Sequence, residues 1–273
     1  MESSATLRRI SIAPVKGMRL RSLEQVELTR QGIPGDRAFF VVDEKRRMVN
    51  GKRLGALMTI VPDHDLETGI LTLEFPEDRI SARVDLGEPQ AVTFFGLQIQ
   101  ARPVLGPFSD AISGHVGHEV RLMERPENRP AVDRGAIAGV TLLGAASVER
   151  LEEEAKEFEQ HRDSAEGWIE PGKIDSRRFR MSLEFDGPGP HAEDEWVGRE
   201  VRVGEARIAV AGHVGRCAVT TRDPESGAAD LRTLHYLKKY RDRVQSEEAL
   251  PFGVYARILE PGTIRIGDAV TPL

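Results

Sequence analysis

Short apolar runs divided by turn chemistry recur along this chain, and no other feature narrows its fold so far. Residues 7–13 alternate like a strand and stop at Pro14; residues 25–29 form a second run. Residues 38–43 (AFFVVD) are an apolar stretch suited to a buried strand. Gln31-Gly32-Ile33-Pro34-Gly35-Asp36, between the last two, is turn chemistry. Further strands are expected at 58–61, 70–75, 79–84, 91–95, 97–103 and 119–123, then at 179–185, 200–203, 206–211, 218–221, 254–259 and 263–266. The 26 glycines and 16 prolines supply turns, and aromatics at 5% leave packing to Val, Leu, Ile and Ala. Three segments read as helices. One is short, at 109–118. One is clearly amphipathic, at 146–160, with Val148, Leu151, Ala155 and Phe158 at helical spacing. The third, at 231–240, ends in basic residues that suit a helix C-terminus. Ser147 is placed as the N-cap of the second helix, and Glu152-Glu153-Glu154 on its solvated face. The expected fold class is therefore α/β with mainly β content. Residues 124–134, polar and holding Pro126 and Pro130, read as a linker, which divides the chain into a barrel-like domain at 1–124 and a second domain at 125–273.

Bulk properties exclude several classes. A net charge of −6 over 273 residues lacks the basic bias of a nucleic-acid binder, although local arginine clusters still suit a single anion. No run of about 18 apolar residues suggests a membrane span, and residues 1–9 lack the apolar centre of a signal peptide, so a cytoplasmic protein is expected. One cysteine excludes an internal disulfide framework and any Cys₄ iron–sulfur or zinc site in one chain.

That cysteine, Cys217, is the candidate working residue. A lone cysteine is most often a small buried hydrophobe. Against this, Arg216 beside the sulfur favours thiolate over thiol, and the segment reads as a loop entering a strand before the turn Asp223-Pro224-Glu225-Ser226-Gly227. A cysteine so placed suits a nucleophile, a persulfide carrier or a soft-metal ligand. Arg178 and Arg180, two residues apart, would share one face of an extended segment and are candidates for one anion. Lys16 and Arg37, by themselves, read as an ordinary turn lysine and half of a surface ion pair with Asp36. His213, four residues before Cys217, suits either an acid–base role or the surface; His115 and His118 read as solvated.

Six segments in order resemble one family. Gly215-Arg216-Cys217 through Asp223-Pro224-Glu225-Ser226-Gly227 is similar to the signature of MOSC domains, named for the C-terminal domain of molybdenum-cofactor sulfurases. Pro14-Val15-Lys16-Gly17 and Gly35-Asp36-Arg37-Ala38-Phe39 resemble the β-barrel domain that precedes it. Arg178-Phe179-Arg180 resembles the family's arginine motif, residues 231–241 its helix after the cysteine loop, and Phe252-Gly253-Val254-Tyr255 with residues 261–268 its C-terminal end. Gly17, Met181-Ser182 and Gly215 depart from the residues common in relatives. The resemblance implies a MOSC-type β-barrel with flanking helices after an N-terminal β-barrel domain. It also implies a molybdenum cofactor with Cys217 as metal ligand and Lys16, Arg37, Arg178, Arg180, Arg216 and Tyr255 about the pterin and its phosphate. The implied activity is reduction of N-hydroxylated or N-oxygenated small molecules, with electrons from separate iron–sulfur or flavin proteins. The alternative is a sulfur carrier bearing a Cys217 persulfide filled by a separate sulfur donor, since no desulfurase domain, and so no pyridoxal phosphate, is expected in this chain.

Overall fold

A computed structural model describes residues 5–126, 138–160 and 172–273. Seven strands close into a barrel, in the spatial order Leu183–Asp186, Val140–Gly144, Pro251–Glu260, Ala206–Gly215, Glu200–Val203, Ala269–Pro272 and Ala5–Ile12. Ala5–Ile12 returns to pair with Leu183–Asp186, which removes both sheet edges. Its interior is filled by alternate residues such as Leu7, Ile10, Leu142, Leu183, Val201, Ile208, Val254 and Ala256, all 1% exposed or less. Each such side chain contributes about 1.5–3 kcal/mol by leaving water, before entropy is counted. Val140–Gly144 and Leu183–Asp186 are the parallel pair, and such a pair needs a crossover; helix Ala145–Gln160 lies on that connection. Val148, Leu151 and Ala155 of that helix pack with Tyr236 and Leu237 of helix Thr233–Tyr240 and with Phe179 and Phe252 outside the barrel.

The second unit is built on Gln90–Phe94, Leu97–Leu105, Val120–Glu124, Phe39–Asp43 and Met48–Val49, with a three-stranded meander at Val61–Asp65, Ile70–Glu74 and Arg79–Arg83. Phe39–Asp43 is buried on both faces, as its unbroken apolar run requires. Phe39 and Val41 enter the core with Leu57, Leu71 and helix Phe108–Val116, while Phe40 and Val42 enter a smaller core with Val92, Phe94 and Ile99.

Hydrogen bonding does not follow the division of the sequence. Ala5–Ile12 belongs to the barrel, and Gln25–Leu28 pairs with Gly262–Arg265 near the other end of the chain. Several local expectations change. The segment expected as a strand at 218–221 is a 3₁₀ turn, and the runs expected at 58–61 and 179–185 begin in the 3₁₀ turns Gly55–Thr59 and Ser176–Phe179, the latter run reaching strand only at Leu183–Asp186. Ser147 lies inside its helix, where its buried hydroxyl donates to Glu193 at 2.8 Å, so it is no N-cap. Glu154 is buried against Arg150 rather than solvated. The expected linker lies largely outside the described residues. Val140–Gly144, Glu200–Val203 and Ala269–Pro272 complete the closed wall, and of these the first and last carry no alternation strong enough to be anticipated from sequence.

Candidate functional site

The site is built where the segment Lys16–Arg19, the turn Arg178–Arg180 and the cysteine loop meet. Strand Ala206–Gly215 delivers the loop, and Cys217 follows in extended backbone at φ −131°, just before the 3₁₀ turn Ala218–Thr221. The Cys217 carbonyl accepts from the Thr220 amide at 3.1 Å and the Thr220 hydroxyl at 3.0 Å. Its thiol is exposed, against the expectation for a lone cysteine, because the turn commits the backbone and leaves the side chain outside the apolar clusters.

Arginines from both units brace this loop. Arg216 donates to the carbonyls of Phe179 at 2.8 Å and Phe252 at 2.8 Å, and its guanidinium lies 5.3 Å from the Phe179 ring centre. Arg178, 7% exposed, makes a two-point pair with Asp230 at 2.6 and 2.8 Å and lies 3.7 Å from Asp223. Arg19 donates to the Glu225 carbonyl at 2.7 Å, and Arg177 to its carboxylate at 3.0 Å. Arg222 donates to Gly227 at 2.6 Å and across to Lys52 at 3.2 Å. The Asp223–Gly227 turn is thus a clasp between the two units. Gly227 has φ +71° and its backbone packs directly on Gly55, so a side chain there would strike the Gly55 carbonyl.

Arg178 and Arg180 do not share a face. Asp175 caps the turn by accepting from the Arg177 amide, and Arg180 takes the left-handed conformation at φ +53°, which turns it away from Arg178. Arg180 donates instead to the Met18 carbonyl at 2.6 Å, while its own carbonyl accepts from Arg37 at 3.0 Å. Arg37 pairs with buried Asp36, whose other oxygen accepts from the Ala13 amide at 2.8 Å; this is no surface pair. Burial first, and the Arg37 charge second, hold Arg180 down at about 10, with Asp36 opposing. Lys16 lies two residues before Met18, its ammonium 4.9 Å from the Phe95 ring centre. Gly17 has φ +90°, and a Cβ there would come 3.0 Å from the Gly51 nitrogen, which accounts for glycine at this position.

The structure therefore joins Arg37 to Arg180 and ties the turn before Arg180 to the cysteine loop through Arg216, while the Lys16 ammonium lies over the Phe94 and Phe95 rings. Tyr255 pairs with Gly212 on the strand that leads to Cys217 and lines a cavity with His213. His115 and His118 separate: His115 bonds Thr59 at 2.7 Å and His118 is exposed. Arg19, Arg177, Arg222 and Asp230 were not singled out from sequence. Their partners lie up to 206 residues away, as Arg19 and Glu225 do, and no local pattern marks them.

A closed barrel, with a second β unit clasped to it through the Asp223–Gly227 turn and an exposed thiol at the head of the same loop, defines the class of this molecule. The chain belongs to the MOSC family: the MOSC domain model matches residues 135–271, and the MOSC N-terminal beta barrel domain model matches residues 4–116. Mitochondrial amidoxime-reducing component 1 of Mus musculus is 26% identical over 99% of this chain and 83% of its own length. Molybdenum cofactor sulfurase of Danio rerio is 27% identical over 99% of this chain and 34% of its own length. Among solved structures, the YUAD protein from Bacillus subtilis covers 98% of this chain and 94% of its own, at 10% identity and a TM-score of 0.45. No helix among the described residues is long and apolar enough to cross a membrane.

Proposed function

We propose that this protein is a molybdenum-cofactor-binding oxidoreductase that reduces N-hydroxylated or N-oxygenated small molecules, with Cys217 as sulfur ligand to the metal. One observation carries the reading. Exposed Cys217 follows Arg216, which donates to the carbonyl of Phe179, and the next residue, Arg180, is desolvated and accepts from Arg37 at its own carbonyl. Asp36 already pairs with Arg37, while Arg180 donates to a main-chain carbonyl; a buried cation so placed is stabilised by an anion, and a thiolate suits a soft metal. That donor set fits a phosphate-bearing pterin presenting molybdenum. Arg37, Arg180 and Lys16 would hold the anionic group, while Arg178 and Arg216 brace the loop through Asp230 and main-chain carbonyls. The bound group would supply the centre at which oxygen is removed from nitrogen. Residues of the chain would position it and fix the loop. With one cysteine, electrons come from separate iron–sulfur or flavin proteins.

The reading is tested by expression in a host that makes molybdopterin. Molybdenum and pterin are expected in the purified protein, with molybdenum lost in Cys217→Ser. Protein free of both overturns it. The exposure of the thiol also favours a second reading, in which Cys217 carries a persulfide from a sulfur donor. Sulfane sulfur on Cys217 after incubation with a desulfurase, in protein free of molybdenum, would select that reading.

A further inference from the structure

Several shielded polar atoms among the described residues have no hydrogen-bond partner, and five of them gather in one place. They are Nδ1 and Nε2 of His191, Oδ1 of Asp194, Nε2 of His213 and Oη of Tyr240. His191 stands just ahead of the 3₁₀ turn Ala192–Trp196, which carries Asp194. Tyr240 ends helix Thr233–Tyr240, and His213 comes from strand Ala206–Gly215. The ring centres of His191 and Tyr240 are 5.7 Å apart, and His213 Nε2 faces Asp194 Oδ1 at 3.4 Å. Groups around them are satisfied. Arg241 donates to the other Asp194 oxygen at 2.6 Å and to the Pro251 carbonyl at 3.0 Å. The Ser147 hydroxyl donates to Glu193 at 2.8 Å and accepts from the His191 amide at 2.9 Å. An orphaned atom costs its full desolvation, so such atoms are rare in a folded interior, and a cluster of them marks a place where polar molecules complete the bonding.

The donor and acceptor inventory decides what completes it. A neutral imidazole offers one donor and one acceptor, a phenol offers both, and the remaining Asp194 oxygen accepts only. Burial first, and the Arg241 charge second, lower His191 to about 4, so its ring is neutral near pH 7. The charges about the cluster already pair, Arg241 with Asp194 and Arg150 with Glu154 of helix Ala145–Gln160. A mixed set of this kind, with no charge left to neutralise, suits water. The cluster has two ends. At the outer one His213 lines an open cavity of about 420 Å³ together with Gln245 and Ser246. At the inner one Glu193, 1% exposed, precedes Asp194 in the same turn, and its charge acts on the Tyr240 phenol. Burial raises the Glu193 carboxyl to about 7, so it gains and loses its proton near neutrality.

We infer that His213, Asp194, His191 and Tyr240 line a chain of bound water that carries protons between the open cavity and Glu193, which makes Glu193 a proton store beside the strand that leads to Cys217. A proton enters at His213, passes through water to the His191–Tyr240 pair and ends on the Glu193 carboxylate; the reverse route returns it to solvent. Water bridging such groups bonds nearly as well as a direct contact, and each hand-over runs from a donor to an acceptor. Nothing in this route depends on the group that Cys217 holds.

The full chain is followed by infrared spectroscopy after a rapid pH jump across neutrality, with the protonated carboxyl band of Glu193 assigned by its loss in Glu193→Gln. In the parent protein the band is expected to vanish far faster than the amide hydrogens of Ala192–Trp196 exchange, because the proton leaves without the turn opening. Tyr240→Phe and His191→Phe are each expected to slow that loss several-fold and to lower Tm, since each removes a water-mediated hydrogen bond. Tyr236→Phe, whose hydroxyl is taken by Glu159 at 2.9 Å, is the control and is expected to leave the rate unchanged. Circular dichroism confirms the fold of all three. Four outcomes overturn the inference: loss of the band only as fast as amide exchange, an unchanged rate in either folded cluster variant, equal slowing in Tyr236→Phe, or a rise in Tm for Tyr240→Phe. The last is what removal of a dry, unpaired hydroxyl produces.

Discussion

Arg178 is the residue whose reading changed most between sequence and structure. By spacing it was a partner of Arg180 for one anion. In the fold its guanidinium is committed to Asp230 at two points, on the return arm of the cysteine loop. Removing one partner of a pair shielded to this degree leaves the other charge uncompensated. Arg178→Gln is therefore expected to cost about 2–4 kcal/mol, read as a shift in denaturation midpoint. Asp230→Asn in the same background should recover part of that loss, because the orphaned carboxylate is then gone. Cys217 shows the converse. Its chemistry was legible from its neighbours, but its exposure was not, since exposure follows from the 3₁₀ turn that begins at Ala218.

At the scale of elements, the hairpin joining Gln90–Phe94 to Leu97–Leu105 carries an unusual turn. Phe94 pairs with Leu97, and the two loop residues Phe95 and Gly96 have φ of +48° and +82°. Such a turn prefers Asn-Gly, and a left-handed residue other than glycine or asparagine costs about 1–2 kcal/mol. Phe95 is 56% exposed, so burial does not repay this; its contact with the Lys16 ammonium offsets about 0.5–1 kcal/mol. Phe95→Asn is expected to stabilise the protein by about 0.5 kcal/mol, visible as a small rise in Tm. The helix at Ala145–Gln160 was legible because its apolar spacing is long and regular. The turn at Ser176–Phe179 was not, because four residues with Asp175 as cap carry less signal than the strand-like residues that follow.

At the scale of the whole molecule, two groups beside helix Ala145–Gln160 set opposing pH slopes. Glu193 is 1% exposed, and burial pushes its carboxyl up to about 7 from 4.5, although Ser147 donates to it. An acid that keeps its proton in the folded state while the unfolded chain releases it weakens the fold as pH rises, here from about 4.5 through about 7. His191 does the reverse. Burial and the Arg241 charge lower it to about 4 from 6.5, so its contribution is lost as pH falls through that interval. Glu193→Gln is expected to be more stable than the parent protein at pH 8 by about 1–3 kcal/mol, with the gap closing below about pH 4.5. Denaturation curves across that range measure it, and a constant gap would contradict the burial of an ionisable Glu193.

The sequence by itself determined what repeats locally: the run of short strands, the amphipathic helix, the arginine beside the single cysteine, and the motif order that placed the chain in its family. These are legible because period and turn chemistry act between neighbours. Tertiary structure alone decided that Ala5–Ile12 closes the barrel of the other half, that Arg178 braces a loop while Arg180 faces Arg37, and that Gly215 admits Glu248. Each of those joins residues far apart in the chain. Hydrogen-bond pairing and charge compensation over such separations are settled by which surfaces the folded backbone brings into contact, and side-chain period carries no record of that.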